Sequence, residues 1–241
     1  MNKDNKFVRS LIQSALQGNN SALEQLFNMN LPKVYTLAFR LTANIKSAEL
    51  LTETVLVEAW KQLSYLRDDA TFSSWISSIT VYQCLKYLRE NENPQHFELP
   101  QLPSKSPLEK TILSFSKNER VSFVLHHFEG YSIDEVSDLM AIPRTEAEST
   151  IKSGEDIVIS RTPDAISEKS LSNRINLIKT DISPANDIIN KAFVTIYRLK
   201  SEDEVKEQYL SEKKDRDDSR AEEAKTVKGI AGFFRKKKPK S

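Results

Sequence analysis

Apolar residues recur every three or four positions through the first part of the chain, the spacing of helices that bury one face. In "KFVRSLIQSALQG" they fall at Phe7, Leu11, Ile12, Ala15 and Leu16, and Gly18 marks the stop. "SALEQLFNMNLPKVYTLAFRLTA" places them at Leu23, Leu26, Phe27, Leu31, Val34, Leu37, Ala38 and Leu41. Pro32 lacks an amide hydrogen, so it predicts a break or a first turn there rather than a helix interior. "NIKSAELLTETVLVEAWKQLSYLR" carries the period through Ala48, Leu51, Val55, Ala59 and Leu63, and "TFSSWISSITVYQCLKYLRENEN" through Phe72, Trp75, Ile79, Leu85 and Leu88. Helices this close in sequence predict an antiparallel bundle over residues 1–93.

The pattern then breaks. "ENPQHFELPQLPSKSPLEK" holds Pro94, Pro100, Pro103 and Pro107, which block helix and ladder alike and predict a linker over 94–107. Ser106-Pro107 reads as an N-cap followed by proline at the first helical position. Residues 108–162 read as short helices with sharp punctuation: Gly130 ends one, Ser132 with Glu135 forms a capping box, Ile142-Pro143 turns the chain, and Thr145 with Glu148 offers a second box. Two helices around the tight "MAIPR" turn give a helix-turn-helix pattern. Beyond Pro163, the apolar positions Ile175, Ile178, Ile188, Ile189, Ala192, Phe193 and Ile196 predict an additional helical segment over 163–200. The stretch 201–241 is mostly charge, a solvated helix or disorder, and ends in Phe233 and Phe234 beside Arg235, Lys236, Lys237, Lys238 and Lys240. The expected fold class is all-α: two small helical domains, a Pro-rich linker and a C-terminal extension.

Composition narrows the function classes. No apolar run approaches the ~20 residues that span a bilayer, and the first residues show no secretory pattern, so the expected location is the cytoplasm. The lone Cys84 sits at core spacing and excludes an internal disulfide. His126 and His127 point in different directions on a helix, and His96 stands in the linker, so neither a metal nor another cofactor is expected. The glycines form no phosphate cradle and no nucleophile-base pair stands out, which argues against an enzyme. Lys and Arg total 35 against 34 Asp and Glu, but the balance is uneven: 111–162 has five basic and nine acidic residues, 163–241 eighteen and fourteen.

The order of parts resembles a known family. "LPKVYTLAFRLTANIKSAELLTETVLVEAWKQLSYLRDDATFSSWISSITVYQCLKYLR" is similar to domain two of the extracytoplasmic-function sigma factors, and "SFSKNERVSFVLHHFEGYSIDEVSDLMAIPRTEAESTIKS" to their domain four. The resemblance covers roughly 21–160 and implies a transcription-initiation protein. Its expected partners are the RNA polymerase core, promoter DNA and an anti-sigma factor. Domain two would meet the polymerase clamp and hold the melted strand, while the second helix of domain four would enter the major groove. Carried over position by position, the resemblance makes Glu49, Thr52, Glu53, Leu56 and Trp60 the polymerase-binding candidates. Lys86, Arg89, Arg144, Thr145, Ser149, Thr150 and Lys152 are the DNA-binding candidates.

The departures fall on contact positions. The family pattern has an acidic residue at Leu50, glutamine at Glu53, an acidic residue at Thr54 and phenylalanine at Leu56; Val81 and Tyr82 replace a basic residue and an asparagine. In the reading helix Glu148 and Thr150 stand where the family has lysine and arginine, and Ser153, Glu155 and Asp156 follow. Losing about three phosphate contacts removes about three counterions of salt-dependent attraction, and carboxylates add repulsion. Bland explanations stand beside these readings. Trp60 and Trp75 fit core spacing, and Glu146 and Glu148 near a helix start complement its dipole. The basic tail reads first as a solubilising end, with a nucleic-acid arm or a lipid-facing anchor as the alternatives. Two functions follow: a sigma factor that binds polymerase and promoter, or a regulator that keeps the scaffold and acts by protein contact without sequence-specific DNA reading.

Overall fold

The structure is a computed structural model that describes residues 3–67, 71–91, 106–161 and 187–203, with Leu171, Asn173, Ile175, Lys206, Lys213 and Lys214. Except for Ser106 and Pro107, the expected linker lies outside the described residues, as does the basic end 226–241. The chain divides into two compact units, Met1–Phe193 and Val194–Ser241. Every regular element among the described residues is helical.

The N-terminal helices are α1 (Lys3–Leu16), α2 (Asn20–Thr42), α3 (Ile45–Gln62) and α4 (Phe72–Glu90), with a 3-10 turn at Leu63–Tyr65. Each start has a side-chain cap where the sequence offers one: Asn19 accepts from the Ala22 amide, Asn44 from Ser47 and Thr71 from Ser74. Helix α2 is the centre, packed by α1, α3 and α4, and buries Leu26, Phe27, Phe39 and Leu41 completely. The apolar period also buries Ala48, Leu51, Val55, Ala59 and Leu63 on α3 and the turn, and Phe72, Ile79, Leu85 and Leu88 on α4.

Two local expectations are corrected. Pro32 does not break the chain: it lies inside the continuous helix α2. The proline removes the amide that would bond the carbonyl of Asn28, and Asn28 is exposed, so water can serve that oxygen. Packing of Leu26 and Phe27 before the proline and Val34 to Leu41 after it outweighs the lost bond. On α1 the predicted apolar face is only partly covered. Leu11 is buried, whereas Phe7 and Leu16 remain about half exposed (52% and 51%), because α1 is an edge helix that, among the described residues, packs chiefly on α2 and the turn after α3.

Residues 106–161 form α5 (Pro107–Leu113), α6 (Lys117–His127), α7 (Ile133–Met140) and α8 (Arg144–Arg161). Ser106 caps α5 with Pro107 in its first turn, and Ser132 with Glu135 closes the expected capping box on α7. Ser116 and Glu119 make another on α6 that the apolar pattern did not announce. The box expected at Thr145 and Glu148 does not form. Helix α8 starts at Arg144, and the Pro143 carbonyl already accepts from the amides of Glu146 and Ala147, so Thr145 lies within the first turn. Helix α8 packs on α6 through Ala147, Ile151, Gly154 and Val158.

A buried polar link joins the two groups of helices within the first unit. Arg40 of α2 grips Glu109 of α5 with Nε to Oε1 at 2.9 Å and Nη2 to Oε2 at 2.8 Å, and its guanidinium lies 4.3 Å from the centre of the Phe128 ring. Arg120 donates to the carbonyls of Leu41 and Phe115, and burial lowers its pKa to about 10. Further along the chain, residues 188–203 are helical, with Ile188, Ile189, Ala192, Phe193 and Ile196 buried.

Candidate functional site

The polymerase-binding candidates lie on α3 and separate into surface and core. Glu49, Glu53 and Trp60 are half-buried, and Leu50 between them is 55% exposed. Thr52 and Leu56 have no accessible surface; Thr52 Oγ1 donates to the Ala48 carbonyl at 2.7 Å. Their place on the helix turns them inward, so in this structure they hold the face in position and do not present themselves to a partner. Burial raises the Tyr35 pKa, and the charge of Glu49 adds to the effect. Trp75 packs on Phe72 with ring centres 5.5 Å apart and is half-buried.

On α4, Lys86 is exposed, and Tyr82 one turn before it is 63% exposed. Arg89 is also on the surface, but it donates to the Leu139 carbonyl at the end of α7. Lys117 Nζ donates to the Leu88 carbonyl at 2.8 Å, and Ser78 hydrogen-bonds the Tyr131 phenol, whose pKa burial raises. Helix α4 is thus engaged at Ser78 by the loop before α7, and near its C-terminal end by Lys117 of α6 and by the end of α7. Of the two basic candidates on this helix, Arg89 is engaged in a hydrogen bond within the protein.

The candidates on α8 divide in the same way. Thr145, Ser149 and Lys152 are exposed. Thr150 is half-buried and ties back to Ser122 Oγ at 2.9 Å and to the Glu146 carbonyl, as a threonine one turn along a helix does. Arg144 is exposed but paired, its Nε 2.7 Å from Asp134 and its Nη1 3.7 Å from Glu148. A shallow groove along the helix is lined by Ser149, Lys152, Ser153, Asp156, Ile157 and Ser160. Its lining carries one cation, Lys152, and one carboxylate, Asp156.

The inner side of α8 is held by interactions the sequence did not announce. Ser153 donates to Glu119 at 2.6 Å, and this with the Ser116 bonds lowers the Glu119 pKa. His127 Nε2 lies 3.0 Å from Glu155 in a contact that is not a well-directed hydrogen bond. Burial, helped by His126, lowers the His127 pKa to about 4, so the imidazole is neutral at pH 7 despite that carboxylate. Gly154 has a visible signal, a helix-weakening residue in mid-helix, and its reason is steric: a Cβ there would sit 2.9 Å from Phe123 Cδ2. Arg40 also had a signal, a cation at a buried spacing in "LAFRLTA". Tyr82 was read only as a departure, yet it is the large exposed aromatic of α4.

Residues 26–93 match the family model of sigma-70 region 2, a span that takes in most of α2, all of α3 and all of α4. This stretch of the chain is similar to sigma-70 region 2. Among solved structures, the chain is similar to CnrH, determined in complex with the cytosolic domain of CnrY. The identity is 20% and the TM-score 0.43, over 67% of this chain and 99% of that one. It is also similar to the sigma factor RpoE in complex with the anti-sigma factor NepR from Bartonella quintana, at 16% identity and a TM-score of 0.40, over 58% of this chain and 95% of that one. No curated protein sequence matches the chain. Among the described residues no helix is long and apolar enough to cross a membrane, and no group of His, Cys, Asp or Glu is placed to hold a metal.

Proposed function

We propose that this sigma-factor-like protein binds the RNA polymerase core through the α3 face bearing Glu49, Leu50, Glu53 and Trp60, and meets promoter DNA through α4. The observation that carries the reading is the region 2 match over 26–93 on helices whose inner positions are all packed. Its role is non-enzymatic: it positions polymerase and captures strand, and nucleotide chemistry stays with the polymerase in the cytoplasm. On α4, exposed Tyr82 offers a ring for an unstacked base and Lys86 a phosphate contact. On α8, Thr145, Ser149 and Lys152 are the groove-facing side chains.

A second reading has its own observation. The outer face of α8 presents Glu146, Glu148 and Asp156 against Lys152 and an Arg144 already paired with two carboxylates. Such a surface favours a regulator that occupies polymerase, or an anti-sigma factor, without reading an upstream element. Capture of core polymerase by the full chain, followed by promoter-library binding at several salt concentrations, separates the two. Sequence-selective, salt-sensitive DNA capture by the complex supports the first. Polymerase or anti-sigma binding without DNA capture supports the second, and binding to neither polymerase nor an anti-sigma factor refutes both.

A further inference from the structure

The helices before the linker and those after it close one another's ends. The last carbonyls of an α-helix have no partner within it. Leu41 and Leu88 lie in the last turns of α2 and α4, and their carbonyls accept from Arg120 and Lys117 of α6 at 3.4 and 2.8 Å. In return, Arg89 of α4 donates to the carbonyl of Leu139 in the last turn of α7. A cation at a helix C-terminus also meets the negative end of the helix dipole. Beside these caps α6 packs on α2, and the Arg40–Glu109 pair crosses from α2 to α5 with side chains 3% and 0% exposed. A forked pair of this kind fixes angle as well as distance, so the joint has one register.

The joint leaves the candidate contact surfaces open. Glu49, Leu50 and Glu53 on α3, Tyr82 and Lys86 on α4, and Lys152 on α8 all keep accessible surface while it is closed. Arg89 is the candidate that it engages. A partner reached through the other side chains does not have to part the two groups.

We propose that α1 to α4 and α5 to α8 act as one rigid recognition body, which stays joined when the chain binds polymerase and reads DNA as one short element instead of two separated ones. The proposal rests on the polymerase and promoter reading and adds the geometry of recognition. A compact body of about 160 residues is roughly 40 Å across, the length of about 12 base pairs. Side chains carried on such a body cannot reach two elements that lie further apart than that.

The test uses the full chain with spin labels at Ser64→Cys and Asp138→Cys, exposed positions in the two groups; Cys84 is buried and stays unlabelled. Double electron-electron resonance measures the distance between the labels in the free protein and with saturating core polymerase. DNA captured from a random library by the polymerase complex is sequenced. A single narrow distance that holds within about 2 Å in the complex supports the proposal, as does captured DNA sharing one uninterrupted element of about 12 base pairs or fewer. A second, longer distance in either state overturns the proposal and leaves the polymerase reading intact, and so do two shared blocks of sequence separated by a spacer. Where polymerase binds without DNA capture, the distance alone decides. If the chain binds neither polymerase nor DNA, the reading beneath the proposal fails, and the proposal falls with it.

Discussion

Replacing Arg40 by methionine is expected to be among the most damaging single changes in the chain. Arg40 is 2% exposed and Glu109 0%, so neither charge can turn to water when the other is lost. The pair is held by guanidinium contacts of 2.9, 3.1 and 2.8 Å, and the cation also covers the Phe128 ring. Hydrogen bonds to charged groups contribute about 1.5–3 kcal/mol each but do not add, and breaking a buried pair from one side costs about 3–5 kcal/mol. We expect Arg40→Met to lose about 3–5 kcal/mol, a large share of a typical domain's ~5–15 kcal/mol. The cost arises mainly from the carboxylate left behind. The double variant Arg40→Met/Glu109→Leu should therefore recover most of the loss, because apolar replacements of a buried pair are often neutral. Urea unfolding followed by far-UV circular dichroism at neutral pH measures all three proteins. A single-variant loss below ~1 kcal/mol, or a double variant no better than the sum of the singles, refutes the reasoning.

Gly154→Ala should destabilise by about 1–3 kcal/mol although alanine is the better helix former, because its methyl meets the rings of Phe123 and Phe115; a gain in urea midpoint contradicts this. His127 has a folded pKa of about 4, below its unfolded value, so its contribution is complete above about pH 6.5 and drains away as pH falls toward 4. His127→Gln should flatten the stability profile across that window, and an unchanged slope in pH-dependent unfolding counts against a neutral buried imidazole. Glu146→Lys/Glu148→Lys should steepen the salt dependence of DNA binding by about 1.8 in log-log slope if both lysines reach phosphates; an unchanged slope in anisotropy titrations means that α8 does not lie against the backbone.

Much of this fold was legible because helices announce themselves twice, by apolar period and by caps. Leu26, Val55 and Ile79 follow from spacing alone, and the Ser132 box from a four-residue motif. Errors arose where a local rule met a tertiary one. Pro32 obeys local propensity only until packing on both sides holds the helix straight through it. Phe7 and Leu16 satisfy the period but have too few neighbours to cover them. At the candidate site, the family pattern could point to α3 but could not show that Thr52 and Leu56 turn inward while Glu49 and Glu53 do not. Nor could spacing reveal that Arg40 and Glu109, 69 positions apart, would meet.

The acidic character of α8 follows from which of its positions the fold constrains. Ala147, Ile151, Gly154 and Val158 supply its whole buried stripe, and nothing in that stripe depends on the charge of the outer face. Lysines in place of Glu146 and Glu148 would fold as readily, apart from a dipole term of about 0.3–1 kcal/mol each near the helix start. Stability therefore does not account for the loss of cations. Several polar groups around the helix are engaged within the protein: Glu148 with Arg144, Glu155 against His127, and Ser153 with Glu119. A DNA duplex approaching this face would have to draw Arg144 from Asp134 and Glu148 to gain one phosphate contact, and would bring those carboxylates close to its own charge. A protein partner with a basic surface faces no such conflict, which is the physical ground of the second proposed reading; DNA capture by the full chain would show that the exposed Thr145, Ser149 and Lys152 outweigh it.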